Sequence, residues 1–256
     1  MPRDAMGPCK TKQSRTISSS GDQTARDTLA SMPRPPRMVF ANQCYHILNR
    51  ANLRAGIFHE PADYAAFTAL MVRAQGKVNL PILAACLMPN HVHLVVRPTA
   101  NNDIARWTRW LFTTHVRHYH EKYGTNGRLW QGRYKAFLIQ DDHYLLTVLR
   151  YVERNAQRAK LVARAEEWRW GSLHWRSARI APISLSAPPL DLPKYWSEFV
   201  NQPQTAAEVE AIRTSVNRQR PFGDPDWVER RAQEAGLGQS LMNVGRPRKS
   251  RCGPIY

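Results

Sequence analysis

Acidic residues are scarce in this sequence: 20 Asp and Glu stand against 37 Lys and Arg in 256 residues, a formal net charge of +17. An excess of that size implies a polyanionic partner or surface, nucleic acid before membrane, without dictating a fold. Cysteine is also scarce. Cys9, Cys44, Cys86 and Cys252 are widely spaced and form no C-x-x-C pair, which argues against a zinc ribbon or a disulfide framework. Reduced thiols are expected, with Cys44 and Cys86 in the core. Long apolar runs are missing: the longest, Pro81 to Met88, is strand-sized and far short of the roughly 18–20 residues of a spanning helix. Residues 1–31 lack the apolar core of a secretory signal. A cytoplasmic, nucleoid-associated protein without a membrane partner is therefore expected.

Hydrophobic residues make up 43% of the chain, enough to bury a core. Residues 1–31 have little periodicity and read as a disordered N-terminal extension, closed by the proline-rich segment Met32 to Met38. Residues 32–180 read as the principal folded domain. Residues 181–256 read as a Pro-rich linker, short helices near 194–200 and 206–217, and a basic tail. Residues 33–180 hold 22 Lys and Arg against 9 Asp and Glu, whereas 181–256 hold 10 against 8, so the folded domain carries the basic surface.

Within the domain, strand patterns at 42–50, 80–87, 91–97 and about 133–140 alternate with helix patterns at 61–75, 102–123 and from Asp141 or Asp142 to about Leu161. That order suits an α+β fold, an antiparallel sheet with helices packed on one face.

Two histidines, His91 and His93, stand at i and i+2 on a predicted strand, where that spacing points both imidazoles to one face. Such a pair could converge on a metal ion, although paired strand histidines are more often packed or solvent-facing. On the following helix Tyr151, Asn155 and Arg158 run along the edge of an apolar stripe of Leu145, Val148, Leu149, Val152 and Ala159. A rim tyrosine and a surface amide are the ordinary reading of that edge. The combination gains meaning from chemistry: an ion held by two histidines and an amide oxygen can polarise a phosphodiester while a tyrosine oxygen attacks it. Gly127 to Lys135 interleaves cations with Trp130 and Tyr134. Arg128, Arg133 and Lys135 are candidates for DNA contact there, and Arg50 and Arg158 join them, while the aromatics are more often core residues. Helix 102–123 carries Arg106, Arg109, Arg117, His115, His118 and His120. A basic helix packing Trp107 and Trp110 inward accounts for most of that cluster.

The motifs Met88-Pro-Asn-His-Val-His-Leu-Val-Val96, Gly127-Arg-Leu-Trp-Gln-Gly-Arg-Tyr-Lys135 and Arg150-Tyr-Val-Glu-Arg-Asn-Ala-Gln-Arg-Ala-Lys-Leu-Val162, in this order, resemble those of the REP-associated tyrosine transposases. These are relatives of the small single-strand transposases in the HUH endonuclease superfamily. The resemblance implies a ferredoxin-like catalytic domain over 32–180 and Mg²⁺ or Mn²⁺ held by His91, His93 and Asn155. It also implies Tyr151 as the nucleophile, and single-stranded or hairpin DNA as substrate. Arg220-Pro-Phe-Gly223 and the tail Gly245-Arg-Pro-Arg-Lys249 resemble the family's C-terminal signature, which makes Arg246, Arg248 and Lys249 candidate hairpin contacts. This chain has Asn155-Ala156 where the family commonly has Asn-Pro, so the helix is free to run on. A catalytically silent hairpin-binding or regulatory protein is the competing reading, and both monomer and homodimer suit the sequence.

Overall fold

The turn Met88-Pro89-Asn90-His91 reverses the chain so that Met88 and His91 face each other at the start of an antiparallel pair. From that hairpin the sheet is built outward. The computed structural model describes residues 38–179 and 181–242, and the tail residues Arg246, Arg248 and Lys249 and the segment 1–31 lie outside them. Four strands, β1 (Cys44–Arg50), β2 (Ile82–Met88), β3 (His91–Val96) and β4 (Lys135–Ile139), form one antiparallel sheet in the order β2-β3-β1-β4. Helix α1 (Pro61–Lys77) connects β1 to β2, and α2 (Asp103–Tyr123) connects β3 to β4. The α+β layout is the expected one.

Strand alternation gives the sheet two apolar faces. Ile47, Leu87, Val92 and Leu94 pack with Phe67 and Met71 of α1 and Ile104, Trp107 and Leu111 of α2. These two crossover helices share one face, as anticipated. The opposite face is covered as well, because Cys44, Cys86, Met88, Val95, Phe137 and Ile139 pack under Leu145, Val148, Leu149 and Val152. Those residues belong to α3 (His143–Glu153), whose first turn is capped by the Asp142 carboxylate accepting from the Tyr144 N–H.

Helix α3 does not run to Leu161. It is interrupted at Arg154, whose ψ opens to −1° while its N–H still donates to the Arg150 carbonyl at 2.9 Å; a single turn α4 (Asn155–Arg158) follows, and Lys160 at φ 58° closes it. Alanine at 156 therefore does not extend the helix. Ala159, expected in the apolar stripe, is exposed because the helix has already ended.

Beyond α5 (Ser172–Ser177), helices α6 (Trp196–Asn201) and α7 (Ala206–Arg218) bring Trp196, Val200, Ile212 and Val216 onto the α3 side of the sheet. A further helix, α8 (Pro225–Glu234), was not anticipated, although Asp224-Pro225 is an N-terminal signal: Asp224 accepts from the Trp227 N–H and Pro225 occupies the first turn. Before it, Phe222 lies alongside the β4 end, donating to the Leu138 carbonyl at 2.8 Å and accepting from Gln140 at 2.9 Å.

Gly223 permits that docking. A Cβ there would strike the Gln140 side chain and come within 2.6 Å of the Trp227 ring. Gly223→Ala is expected to cost about 1–3 kcal/mol through overpacking, measured as a fall in urea midpoint with unchanged slope. An unchanged midpoint would mean the Phe222 segment is not held against β4.

Candidate active site

Alternation along β3 buries Val92 and Leu94 towards α1 and α2 and turns His91, His93 and Val95 to the α3 side. In the β1–β3 register Arg50 lies opposite His91 and Leu48 opposite His93. Across β1–β4, Leu48 also faces Lys135. Cross-strand partners share a face, so His46, Arg50, Lys135 and the two motif histidines form one polar patch beneath α3.

Tyr151 closes the patch from above and is itself buried, at 5% exposure, rather than half-exposed on a helix rim. Its ring centroid is 5.9 Å from that of His93 and 6.4 Å from that of His46. The Arg158 guanidinium lies over the tyrosine ring, 3.9 Å from its centroid. Asn155, one turn beyond Tyr151, is buried, and its Nδ2 has no hydrogen-bond partner among the described residues.

The electrostatics are one-sided. Burial pushes the His46 imidazole down to about 3, with Arg158 and His91 adding to the effect. Burial, then Arg50 and Arg158, pushes His91 down to about 4. Burial, and the neighbouring histidines and arginines after it, holds His93 well below its ordinary value. Burial and Arg50 likewise lower Lys135. No carboxylate contributes to any of these shifts. The three imidazoles are therefore neutral near pH 7, and neutral imidazole is the form that can donate a lone pair to an electrophile.

Hydrogen bonds select which nitrogen does so. His93 Nδ1 meets His46 Nε2 at 2.8 Å, and His91 Nδ1 meets the Asn90 Oδ1 at 2.6 Å. A proton on each motif Nδ1 satisfies both contacts and leaves Nε2 of both rings as the lone-pair nitrogen, the orienting arrangement found behind metal-bound histidines. Among the described residues no three His, Cys, Asp or Glu side chains converge as a metal-binding cluster. His91 and His93 turn two imidazole nitrogens to this face, and a half-turn of the Asn155 side chain would exchange its unpartnered nitrogen for the amide oxygen expected of it. Two imidazoles and an amide oxygen, if brought together, would fit an ion that completes its shell with water and substrate phosphate oxygens.

Residues 39–155 match the family described as "Transposase IS200 like". That segment resembles the IS200-like transposases. The chain is 29% identical, over 103 residues, to a Haemophilus influenzae protein described as a REP-associated tyrosine transposase; the match covers 36% of this chain and 58% of that relative. Among solved structures, it is similar to a REP-associated tyrosine transposase bound to a REP hairpin, at 17% identity and a TM-score of 0.48, covering 63% of this chain and 95% of the other. A second, a transposase from Deinococcus radiodurans, has 20% identity and a TM-score of 0.34, covering 48% and 97%.

The fold thus gathers His91, His93, Tyr151, Arg50, Lys135 and Arg158 at one place. Arg128 and Arg133 are exposed on the chain leading into β4, while Trp130 fills the core against Phe112, as its ordinary reading had it. His115 is buried among Phe58, Phe67 and Trp130, His120 bonds Thr125, and His118 is exposed, so the α2 histidines serve different ends.

Sequence reading missed His46, a lone strand histidine whose position opposite Val95 and Phe137 only register reveals. The helix expected near 206–217 forms as α7, but its part in the site was not anticipated: it supplies Asn217 to Lys135 at 3.3 Å and the Arg213 charge near Arg158.

A buried neutral histidine makes stability depend on pH in a fixed direction. The His46 value falls from about 6.5 unfolded to about 3 folded, so the unfolded chain binds the extra proton between those limits. Its contribution is complete above pH 6.5 and is lost as pH falls below it. At pH 5 one such group removes about 2 kcal/mol. Urea unfolding in metal-free buffer at pH 7.5 and 5.0 is expected to show a smaller pH-dependent loss in His46→Gln than in the parent. Equal losses would mean that His46 is not buried neutral.

Proposed function

We propose that this protein is a metal-dependent, single-strand DNA nicking and joining enzyme that acts on hairpin-forming repeats through a covalent tyrosine link. The observation that carries the reading is the placement of a buried tyrosine against His93 and under Arg158 in a pocket furnished with cations and neutral nitrogen donors. A phosphodiester supplies the negative charge that such a pocket lacks. The REP hairpin in the similar transposase structure is consistent with hairpin DNA as this chain's substrate.

In this reading His91 and His93, through Nε2, and Asn155, through its amide oxygen, would hold Mg²⁺ or Mn²⁺. The bound ion supplies Lewis-acid polarisation of the scissile phosphate. Arg50, Lys135 and Arg158 hold phosphate oxygens, and Arg158 also fixes the tyrosine ring. Tyr151 Oη attacks phosphorus: the Oη–P bond forms, the P–O bond to the leaving deoxyribose breaks, and the tyrosine proton passes to solvent as the leaving hydroxyl gains one. The bond count is conserved, so a strand hydroxyl can reverse the step on the same or another end. Burial of Tyr151 limits water attack on the link. Arg128 and Arg133, on the exposed approach, would hold DNA outside the pocket, as would Arg246, Arg248 and Lys249 of the tail.

Incubation with labelled hairpin DNA and Mn²⁺, followed by denaturing electrophoresis, tests this. The parent should yield a band of protein-linked DNA that Tyr151→Phe and His91→Ala both abolish. Cleavage without a protein-linked product would instead identify a hydrolase, and tight binding with neither would identify a hairpin-binding protein.

A further inference from the structure

The outer surface of α1 and α2 lies on the other side of the sheet from Tyr151, since both helices pack into the core opposite α3. There the two helices line a cavity of about 650 Å³ with Lys77, Arg106, Arg109 and Arg117 around Trp110. Spacing puts them together. Arg106, Trp110 and Arg117 stand at spacings of four and seven along one face of α2, with Arg109 beside them, and Arg73 and Lys77 stand at i and i+4 on α1. Trp107 points inward as expected of a basic amphipathic helix, but Trp110 does not. It stays half-exposed, with Arg73 Cζ 5.5 Å and Lys77 Nζ 5.4 Å from its ring centroid.

Among the described residues none of these five cations takes part in an ion pair, and no carboxylate lines the cavity. Elsewhere the fold does supply counter-charges: Lys122, at the end of the same helix α2, is met by both Glu60 and Asp63. Like charges at helical spacing repel, at a cost of a few tenths of a kcal/mol per pair. An external row of phosphates relieves that repulsion, and the indole between the cations offers a flat face to a sugar or base.

We infer that the α1–α2 face is a second DNA-binding surface, which holds the phosphate backbone of DNA flanking the hairpin engaged at Tyr151. The inference rests on the DNA-processing reading above. Two packed layers separate this face from the tyrosine, on the order of 20 Å, so a short hairpin seated at Tyr151 does not reach it. DNA continuing by about one further duplex turn, roughly 34 Å, does.

Binding of two DNAs, a minimal hairpin and the same hairpin with about two turns of flanking duplex, separates the surfaces. Arg106→Gln/Arg109→Gln/Arg117→Gln is compared with Arg179→Gln/Lys194→Gln/Arg230→Gln, an equal charge loss on exposed positions elsewhere. For the longer DNA the α2 variant should bind at least tenfold more weakly, and the slope of log affinity against log salt should fall by about 2–3. Its affinity for the minimal hairpin should match that of the control variant, which also shows that it is folded. Equal behaviour of the two variants on the longer DNA overturns the inference, as does equal weakening on both DNAs. A parent protein that forms no tyrosine adduct but retains the α2-dependent salt slope overturns the catalytic reading and leaves this surface standing.

Discussion

Buried neutral imidazoles and half-buried guanidinium groups sit together beneath α3 with no carboxylate to balance them, and the rest of the structure is arranged around that imbalance. Burying unpaired cationic groups is costly, and each shift in the pocket runs against the charged form. The sheet order keeps the two strands that carry His46, Arg50, His91 and His93 at its centre, flanked by β2 and β4. The polar patch is thereby framed by ladder hydrogen bonds on both sides. A site of that kind is completed by an anion, and the chemistry proposed for Tyr151 follows from that requirement as much as from the tyrosine itself.

Holding Tyr151 over the patch falls to its immediate neighbours in sequence. Glu153, buried, accepts from the Ser172 hydroxyl at 2.6 Å, the Trp196 indole N–H at 2.6 Å and Arg176 at 3.2 Å. Arg150 donates to the Gln202 and Pro203 carbonyls and lies over the Phe199 ring. The residues flanking the tyrosine are thus bonded into α5, α6 and the chain after α6. Breaking a buried carboxylate's partnerships costs several kcal/mol, so the segment beyond residue 170 is part of what orients the site. Helix α7, with Arg213 and Asn217 beside Arg158 and Lys135, belongs to it directly.

Much of this was legible in the sequence because it depends on short-range geometry. A period of two put His91 and His93 on one face, a spacing of four aligned Tyr151 with Asn155, and the turn at Met88-Pro89-Asn90 fixed the central hairpin. What was not legible depends on contacts distant in sequence. His46 looks like any strand histidine until the β1–β3 register brings its Nε2 to His93, and Glu153 looks like a helix-surface acid until Ser172, Arg176 and Trp196 converge on it. The early end of the helix after Arg158 was hidden for a related reason: no proline marks it, and the contact of α4 with β2 is distant in sequence. Trp110 shows the opposite limit, since helical spacing alone does not say which of two tryptophans faces a core.

The most direct measurement is mass spectrometry of the protein after reaction with hairpin DNA and Mn²⁺, nuclease digestion and trypsin cleavage. Cleavage after Arg150 and Arg154 would release Tyr151 to Arg154 as a short peptide. That peptide, carrying a nucleotide on its tyrosine, is the predicted result. A nucleotide attached to any other residue, or cleaved DNA with this peptide unmodified, would contradict the assignment of Tyr151 as the group the buried pocket serves.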